Sequence, residues 1–451
     1  MMNLNQAAKA IGGATTAPEV GFARVTTDSR AIEPGDLFIA LKGERFDAHD
    51  FVTQALADGA AAAMVNTAWE GGAGLPLLRV DDTHRALGQL AAYWRSQFNL
   101  PVAAITGSSG KTSVKEMLAS ICCAASSDAG VLATRGNLNN DIGAPLTLLR
   151  LAPEHRYAVI EMGMNHPGEI SYLTNLGKPT VALVNNAAAV HLEGLGSVEA
   201  VARAKGEIFE GLTSDGVAVI NADDAHAPLW RSLAGSHRRI EFGLSQGDVR
   251  ATFKLAVFDS EVSVHTPAGD VSFKLGVPGL HNVRNALAAT AAALAMGIGL
   301  DAIGRGLALF DGVKGRLQRK AGLSGAIVVD DTYNANPDSM AAAIAVLAGQ
   351  KGRRVFVMGD MGELGPDAPA LHADIGKLAA DKGIEHFYCL GELTREAARA
   401  YGPAAHHYSE LDALLAALKA EMTADTTVLV KGSRFMKMER VVDFLTAQLK
   451  G

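Results

Sequence analysis

Residues 101 to 116 read Pro-Val-Ala-Ala-Ile-Thr-Gly-Ser-Ser-Gly-Lys-Thr-Ser-Val-Lys-Glu. A buried strand there runs through a glycine loop into a helix, which confines the surrounding fold to the α/β class. Ala103 to Thr106 supply the apolar strand, and Val114, Met117, Leu118, Ile121 and Cys122 recur at helical spacing on one face. Chemically the segment reads as a phosphate cradle. Gly107 and Gly110 let the backbone turn and aim N–H groups at phosphate oxygens, with Ser108, Ser109 and Ser113 in the same cradle. Lys111 adds a point charge, expected to face solvent without nucleotide, and the Thr112 hydroxyl can ligate Mg²⁺. Ile105 stands where G-x-x-x-x-G-K-[ST] requires its first glycine, so the loop is shortened to G-x-x-G-K-T. A chance glycine turn is the bland alternative. The coincidence of strand, loop, Lys-Thr pair and amphipathic helix outweighs it.

Around this unit, apolar runs alternate with helical patterns. Strands are expected at 157–161, 180–184 and 216–221, which implies a mainly parallel sheet with helices on both faces. Between residues 251 and 275 the period changes to two across Pro267-Ala268-Gly269-Asp270, predicting an antiparallel addition. After Gly315 a second alternating series, with strands at 327–329, 355–358, 386–390 and 428–430, predicts a doubly wound, Rossmann-like domain. A smaller α/β block precedes both, with a turn at Pro34-Gly35, a strand after it and helical segments near 48–58 and 83–97. The expected division is 1–83, 84–314 and 315–451, three α/β domains with a central sheet of P-loop type.

At 451 residues and 48% hydrophobic content the chain can bury several cores. A net charge of −7, with no basic stripe carrying interleaved aromatics, argues against a nucleic-acid surface. The longest apolar stretch, 286–296, is interrupted by Thr290 and too short to span a bilayer, so it reads as a buried helix. The first twenty residues lack the pattern of a signal peptide. Three cysteines, two of them adjacent, form neither a metal knuckle nor a disulfide framework, which fits a reducing cytoplasm.

Polar clusters gather where predicted strands end, as ligand sites do in open α/β sheets. Glu161 ends a buried strand and could hold the Mg²⁺ touched by Thr112, the alternative being a solvated strand-end glutamate. His191 follows Asn185-Asn186 past another strand; alone, such a histidine is more often structural than a ligand. By spacing Lys205 is a helix-face lysine. Asn282 and Asn285 lie one turn apart at the start of the alanine-rich helix, where they could grip a nucleobase or phosphate, or cap the helix. Asp330-Asp331-Thr332-Tyr333-Asn334-Ala335-Asn336-Pro337 makes a polar turn with little use in packing.

Together with Thr134-Arg135-Gly136-Asn137-Leu138-Asn139-Asn140, Glu161-Met-Gly-Met-Asn165 and Met358-Gly-Asp-Met-Gly-Glu-Leu-Gly365, these segments resemble the Mur ligase family over nearly the whole chain and in the same order. The shortened loop is that family's own form. The resemblance implies an ATP-dependent amide ligase joining D-alanyl-D-alanine to UDP-N-acetylmuramoyl-tripeptide through an acyl phosphate. It implies two Mg²⁺ ions, one on Thr112 and Glu161, the other on His191 and a carbamylated Lys205. It places Asn282, Asn285, Arg316, Asp331, Tyr333 and Asn336 at the ATP, with Lys111, Lys205, His191 and Arg316 serving catalysis. Asp28, Ser29, Arg30, Lys42, Gly43, Phe46, Asp47 and His49 match a uridine-nucleotide pocket, and Asn137, Asn139 and Asn140 the muramoyl peptide. The expected protein is a monomer without membrane insertion. Within the same superfamily, a folylpolyglutamate synthase and the ligase adding the preceding diamino acid share the ATP residues. The Asp28-Ser29-Arg30 block disfavours the first, and the two asparagine-rich motifs disfavour the second. From other classes, a P-loop ATPase or switch would hydrolyse ATP without making a bond, and a nucleotide-sensing module would not turn over.

Overall fold

The computed structural model describes every residue except 44–45, 189–194, 257–258, 314 and 447–451. The chain is α/β throughout, with several sheets, as the alternating pattern predicts. Contact density divides it into two units, each taken by itself: Met1–Ile105, Ser126–Ala182 and Glu207–Ala218 form one, and Thr106–Ala125, Leu183–Gly206 and Val219–Gly451 the other.

In the first unit, four strands run parallel in the spatial order Leu77–Val80, Ala62–Asn66, Asp36–Ile39, Arg24–Thr26, and Ala14–Thr15 pairs antiparallel beside the first. Asp36–Ile39 is buried along its whole length because both faces of a parallel sheet are covered. Phe38, Val52, Ala63, Val65 and Leu77 close one of these cores. The turn before it uses Gly35 at φ 90°, a left-handed conformation that only glycine takes without strain. Thr26 pairs with Phe38, so the segments beginning at Asp28 and Lys42 leave the same carboxyl edge side by side. The same unit contains Tyr157–Glu161, parallel to Val131–Ala133 on one side and aligned with Val102 to Ile105 on the other. These strands belong to a six-stranded sheet ordered Arg238–Phe242, Val217–Asn221, Val181–Val184, Val102–Thr106, Tyr157–Glu161, Val131–Ala133.

The second unit holds the helix Lys111–Ala125, a three-stranded antiparallel sheet (Arg250–Leu255, Ser260–Thr266, Gly269–Leu275) and the alanine-rich helix Leu280–Ala295. That helix is buried from Ala286 to Ala293, since small side chains allow close packing on every face. Among the described residues no helix is long and apolar enough to cross a membrane. A further six-stranded sheet is ordered Gln318–Ala321, Ile327–Asp331, Thr426–Lys431, Arg353–Gly359, His386–Leu390, Ala405–Tyr408; only the first strand is antiparallel. The last strand in sequence fills the gap between Ile327–Asp331 and Arg353–Gly359. Strand-end loops at Asp331, Gly359 and Lys431 therefore open on one edge, where crossovers diverge. Two apolar cores, one around Met340, Phe356 and Phe387 and one around Leu414, Val430 and Val441, are packed on this sheet.

His372 fixes one of those loops. Its Nδ1–H donates to the Ala368 carbonyl at 2.6 Å, and its Nε2 accepts from the Met361 N–H at 2.9 Å. Burial lowers its pKa, so the folded chain needs the neutral ring. Stability from this group is full above the unfolded value, about 6.5, and is lost as pH falls below it. The melting temperature of wild type should therefore drop more steeply between pH 7.5 and 5 than that of His372→Gln; parallel curves would contradict this.

Candidate functional site

The phosphate loop forms where the buried strand Val102–Thr106 ends and the helix Lys111–Ala125 begins. Gly110 stands at φ 78°, and a Cβ there would lie 2.4 Å from Asn285 Oδ1 and 2.6 Å from Asn185 Nδ2. The position thus requires glycine for conformation and for space. Gly110→Ala is expected to lower affinity for Mg-ADP by at least about tenfold, since a left-handed residue alone costs about 1–2 kcal/mol. Nucleotide titration checks this, and unchanged affinity would contradict it.

Not every N–H of the loop is aimed at a ligand, which revises the reading from sequence. Ser108 N–H donates to the Asn186 carbonyl at 3.0 Å and Ser109 N–H to Asn186 Oδ1 at 2.8 Å. Lys111 is half-buried rather than solvent-facing, its Nζ donating to the Gly107 carbonyl at 2.6 Å, because a partly buried ammonium must find an acceptor and a main-chain carbonyl one turn back is within reach. Thr112 Oγ1 is buried and accepts from Arg316 Nη2 at 3.0 Å; Ser113 is buried one residue on.

Arg316 brings the second alternating series to the loop. Its guanidinium lies 4.4 Å from the centre of the Tyr333 ring, and among the described residues its buried Nε has no hydrogen-bond partner. Asn336 caps the helix Pro337–Ala348 through Ser339 and also directs Nδ2 to Ser109 Oγ at 3.4 Å. Asp331 is buried, accepting from Leu317 N–H at 3.2 Å and from Lys431 Nζ at 2.7 Å. Burial raises its pKa, and the charge of Lys431 opposes that shift. Lys431 also donates to the Asn334 carbonyl at 2.9 Å, a role no sequence motif announced.

Asn282 and Asn285 are buried in a chain of carboxamides. Asn282 Nδ2 donates to the Pro278 carbonyl at 2.8 Å and Asn285 Nδ2 to Asn282 Oδ1 at 3.4 Å. Asn185 Nδ2 then reaches Asn285 Oδ1 at 3.2 Å and the Ser109 carbonyl at 2.9 Å. Asn185 and Asn186 were missed as site residues. The only sequence signal was their position at a strand end.

Lys205 lies in the helix Val198–Gly206 and is 1% exposed. Burial first, and the charge of Lys111 second, hold its pKa well below the ordinary lysine value, favouring the neutral amine. His191 lies outside the described residues.

In the first unit, Glu161 is buried with Oε1 accepting from Asn139 Nδ2 at 2.7 Å. Its Oε2 is buried and among the described residues has no hydrogen-bond partner, a costly arrangement that a cation would relieve. Asn140 Oδ1 accepts from Gly143 N–H at 2.9 Å, at the start of a helix, whereas Asn137 is exposed. Asn139 and Asn140 are thus committed within the fold, and Asn137 is open to a ligand. Among the described residues no three His, Cys, Asp or Glu side chains converge as a metal site.

At the carboxyl edge of the five-stranded sheet, Asp28 is paired with Arg30 through Nε at 2.8 Å and Nη2 at 2.9 Å. Those bonds push the Asp28 pKa down to about 2. Ser29 sits between them, and Arg30 is exposed. Beyond the neighbouring strand, Lys42 lies 3.8 Å from Asp47, and Phe46 is 63% exposed beside Gly43. His49 is buried with both nitrogens engaged: Nδ1 at 2.6 Å from Asp47 Oδ1, and Nε2 accepting from Asn66 N–H at 2.9 Å. It serves to fix Asp47 rather than to present a free ring nitrogen.

Three family models match the chain in succession: the Mur ligase family catalytic domain over residues 22–95, the Mur ligase middle domain over 105–293, and the Mur ligase glutamate ligase domain over 315–434. The UDP-N-acetylmuramoyl-tripeptide–D-alanyl-D-alanine ligase of Escherichia coli K12 is 46% identical over 446 residues, covering 98% of this chain and 97% of that protein. A crystal structure of MurF from Acinetobacter baumannii superposes with a TM-score of 0.92 at 41% identity, covering 98% of both chains. MurF ligase from Thermotoga maritima, solved in complex with ADP, gives a TM-score of 0.83 at 26% identity over 96% of this chain and 99% of that one. Matched by three successive family models and by such relatives over nearly its whole length, this chain belongs to the Mur ligase family.

Proposed function

We infer that this chain is an ATP-dependent ligase that adds D-alanyl-D-alanine to UDP-N-acetylmuramoyl-tripeptide, giving the pentapeptide precursor of peptidoglycan with ADP and phosphate. The observation that carries the reading is likeness at 46% identity over 98% of the chain, because it extends well beyond the phosphate loop to both sides of it. A fold match alone would fix only the architecture.

The chemistry follows from the charges. A carboxylate is a poor acyl donor because its leaving oxide is poor, and it repels the γ-phosphate of ATP. Lys111 and Arg316 are proposed to neutralise that phosphate, so that the tripeptide carboxylate can attack it and form an acyl phosphate. The amine of the dipeptide then attacks the acyl carbon, and phosphate leaves from the tetrahedral intermediate. Mg²⁺, when bound, supplies further neutralisation of phosphoryl charge. Two ions are proposed, one held by Thr112 and Glu161, the other by His191 and a carbamate on Lys205. The Glu161 oxygen that has no partner among the described residues, and the neutral form of the Lys205 amine, support these assignments, since only a free amine adds CO₂.

Asn282, Asn285, Asp331, Tyr333 and Asn336 are proposed to line the ATP, and Asp28, Ser29, Arg30, Lys42, Gly43, Phe46 and Asp47 the uridine nucleotide, with His49 behind them. Asn137 is proposed to lie along the muramoyl peptide, with Asn139 and Asn140 supporting it. We assign 1–83 to the UDP-substrate domain, 84–314 to the ATP domain and 315–451 to the domain taking the amine, acting as a monomer in the cytoplasm.

ADP release in the presence of Mg-ATP, tripeptide substrate and dipeptide, with each omitted in turn, tests the reading. Release that needs all of them, with a pentapeptide product, is expected. Release without the dipeptide would instead indicate a hydrolysing ATPase.

A further inference from the structure

The phosphate loop lacks two residues of the general G-x-x-x-x-G-K-[ST] pattern, yet it must still present a concave row of N–H groups. Its curvature is imposed from outside. The Asn186 carboxamide clasps one residue at the middle of the loop on both sides: Oδ1 accepts from Ser109 N–H at 2.8 Å, and Nδ2 donates to the Ser109 carbonyl at 3.1 Å. Its main-chain carbonyl takes the neighbouring Ser108 N–H at 3.0 Å, and Asn185 Nδ2 adds a second donor to the Ser109 carbonyl at 2.9 Å. The clasp is itself braced. Asn221 Nδ2 donates to the Asn185 carbonyl at 2.9 Å, and Asp224 accepts from Ala187 N–H at 3.0 Å.

With the Ser108 and Ser109 N–H groups turned towards the strand end, an anion is met at the helix start, where first-turn N–H groups have no carbonyl of a preceding turn and the helix dipole favours negative charge. We propose that Asn186 is a positioning residue for the nucleoside polyphosphate, standing in for the missing loop residues by holding Ser109 so that the helix-start N–H groups converge on phosphate. The proposal rests on the ATP-ligase reading and adds to it a residue outside the loop on which phosphate affinity depends.

The test compares full-length wild type with Asn186→Ala and Asn186→Asp by titration with Mg-ADP, Mg-ATP and adenosine, together with steady-state kinetics. Losing a pair of hydrogen bonds of ordinary strength should weaken ADP and ATP by about tenfold or more in Asn186→Ala. Adenosine affinity and the KM for D-alanyl-D-alanine should move less than about twofold, because neither depends on the convergence of phosphate donors. Asn186→Asp keeps the acceptor for Ser109 N–H but loses the donor and adds a negative charge, so it should lose more affinity for ATP than for adenosine; it also decides the matter if the alanine variant does not fold. Equal weakening of adenosine and ADP, or wild-type affinities in Asn186→Asp, would overturn the proposal. Wild-type protein that binds no nucleotide would overturn the ligase reading beneath it.

Discussion

Lys111→Ala is expected to reduce turnover about a thousandfold while moving the melting temperature little. Removing one preorganised positive or hydrogen-bonding group from a site of developing charge costs about 10²–10³ in rate where the group acts in the transition state, and an ammonium on a transferring phosphoryl group is at the upper end. The ammonium is half-buried and donates to the Gly107 carbonyl at 2.6 Å, so it already belongs to the loop. To reach phosphate it must exchange that carbonyl for phosphate oxygens, a rearrangement its flexible stem permits. The loop's geometry is held separately, by Asn185, Asn186 and the left-handed Gly110. Calorimetry and single-turnover ADP formation on the same preparations separate the two roles. Equal losses of stability and activity would identify Lys111 as a structural lysine.

The second large effect is expected at Lys205. Lys205→Ala should lose at least about a hundredfold in kcat, comparable to loss of a charge-stabilising group, and a short carboxylate such as acetate should partly restore it. A lysine that is 1% exposed and close to the charge of Lys111 is poorly served as a cation, and the neutral amine that remains can add CO₂ to give a carbamate, an anion with two oxygen donors. That would set an anion beside the Lys111 ammonium. Alanine would remove the carbamate and leave the Lys111 charge without it, so a small carboxylate entering in its place should restore part of the rate. Labelled bicarbonate followed by ¹³C NMR of wild type gives a readout independent of turnover. A fully active alanine variant, or lost activity that no carboxylate restores together with no carbamate signal, would sink the assignment.

How much of this was legible from residues alone differs by type of element. Strands such as Val102–Thr106, Tyr157–Glu161 and Arg353–Gly359 are apolar runs because parallel strands are buried on both faces, and their period needs no tertiary knowledge. The edge strands Arg238–Phe242, Gln318–Ala321 and Ala405–Tyr408 were not foreseen. They are partly exposed and carry Arg, Lys or His, as strands at open edges do, so no apolar run marks them.

The candidate site divides in the same way. Gly107, Gly110, Lys111 and Thr112 are adjacent in sequence, so the loop that joins them could be read directly, and the order of motifs along the chain pointed to the Mur ligases. Sequence cannot say which polar groups are already satisfied by one another. That two loop N–H groups go to Asn186, that Asn139 holds Glu161, that His49 has both nitrogens engaged, and that Arg316 reaches Thr112 across 204 positions are facts of tertiary structure. The physical reason is that periodicity and turn chemistry are set by neighbours along the chain, whereas a buried polar group must find its partner wherever the fold brings one within 3 Å or so.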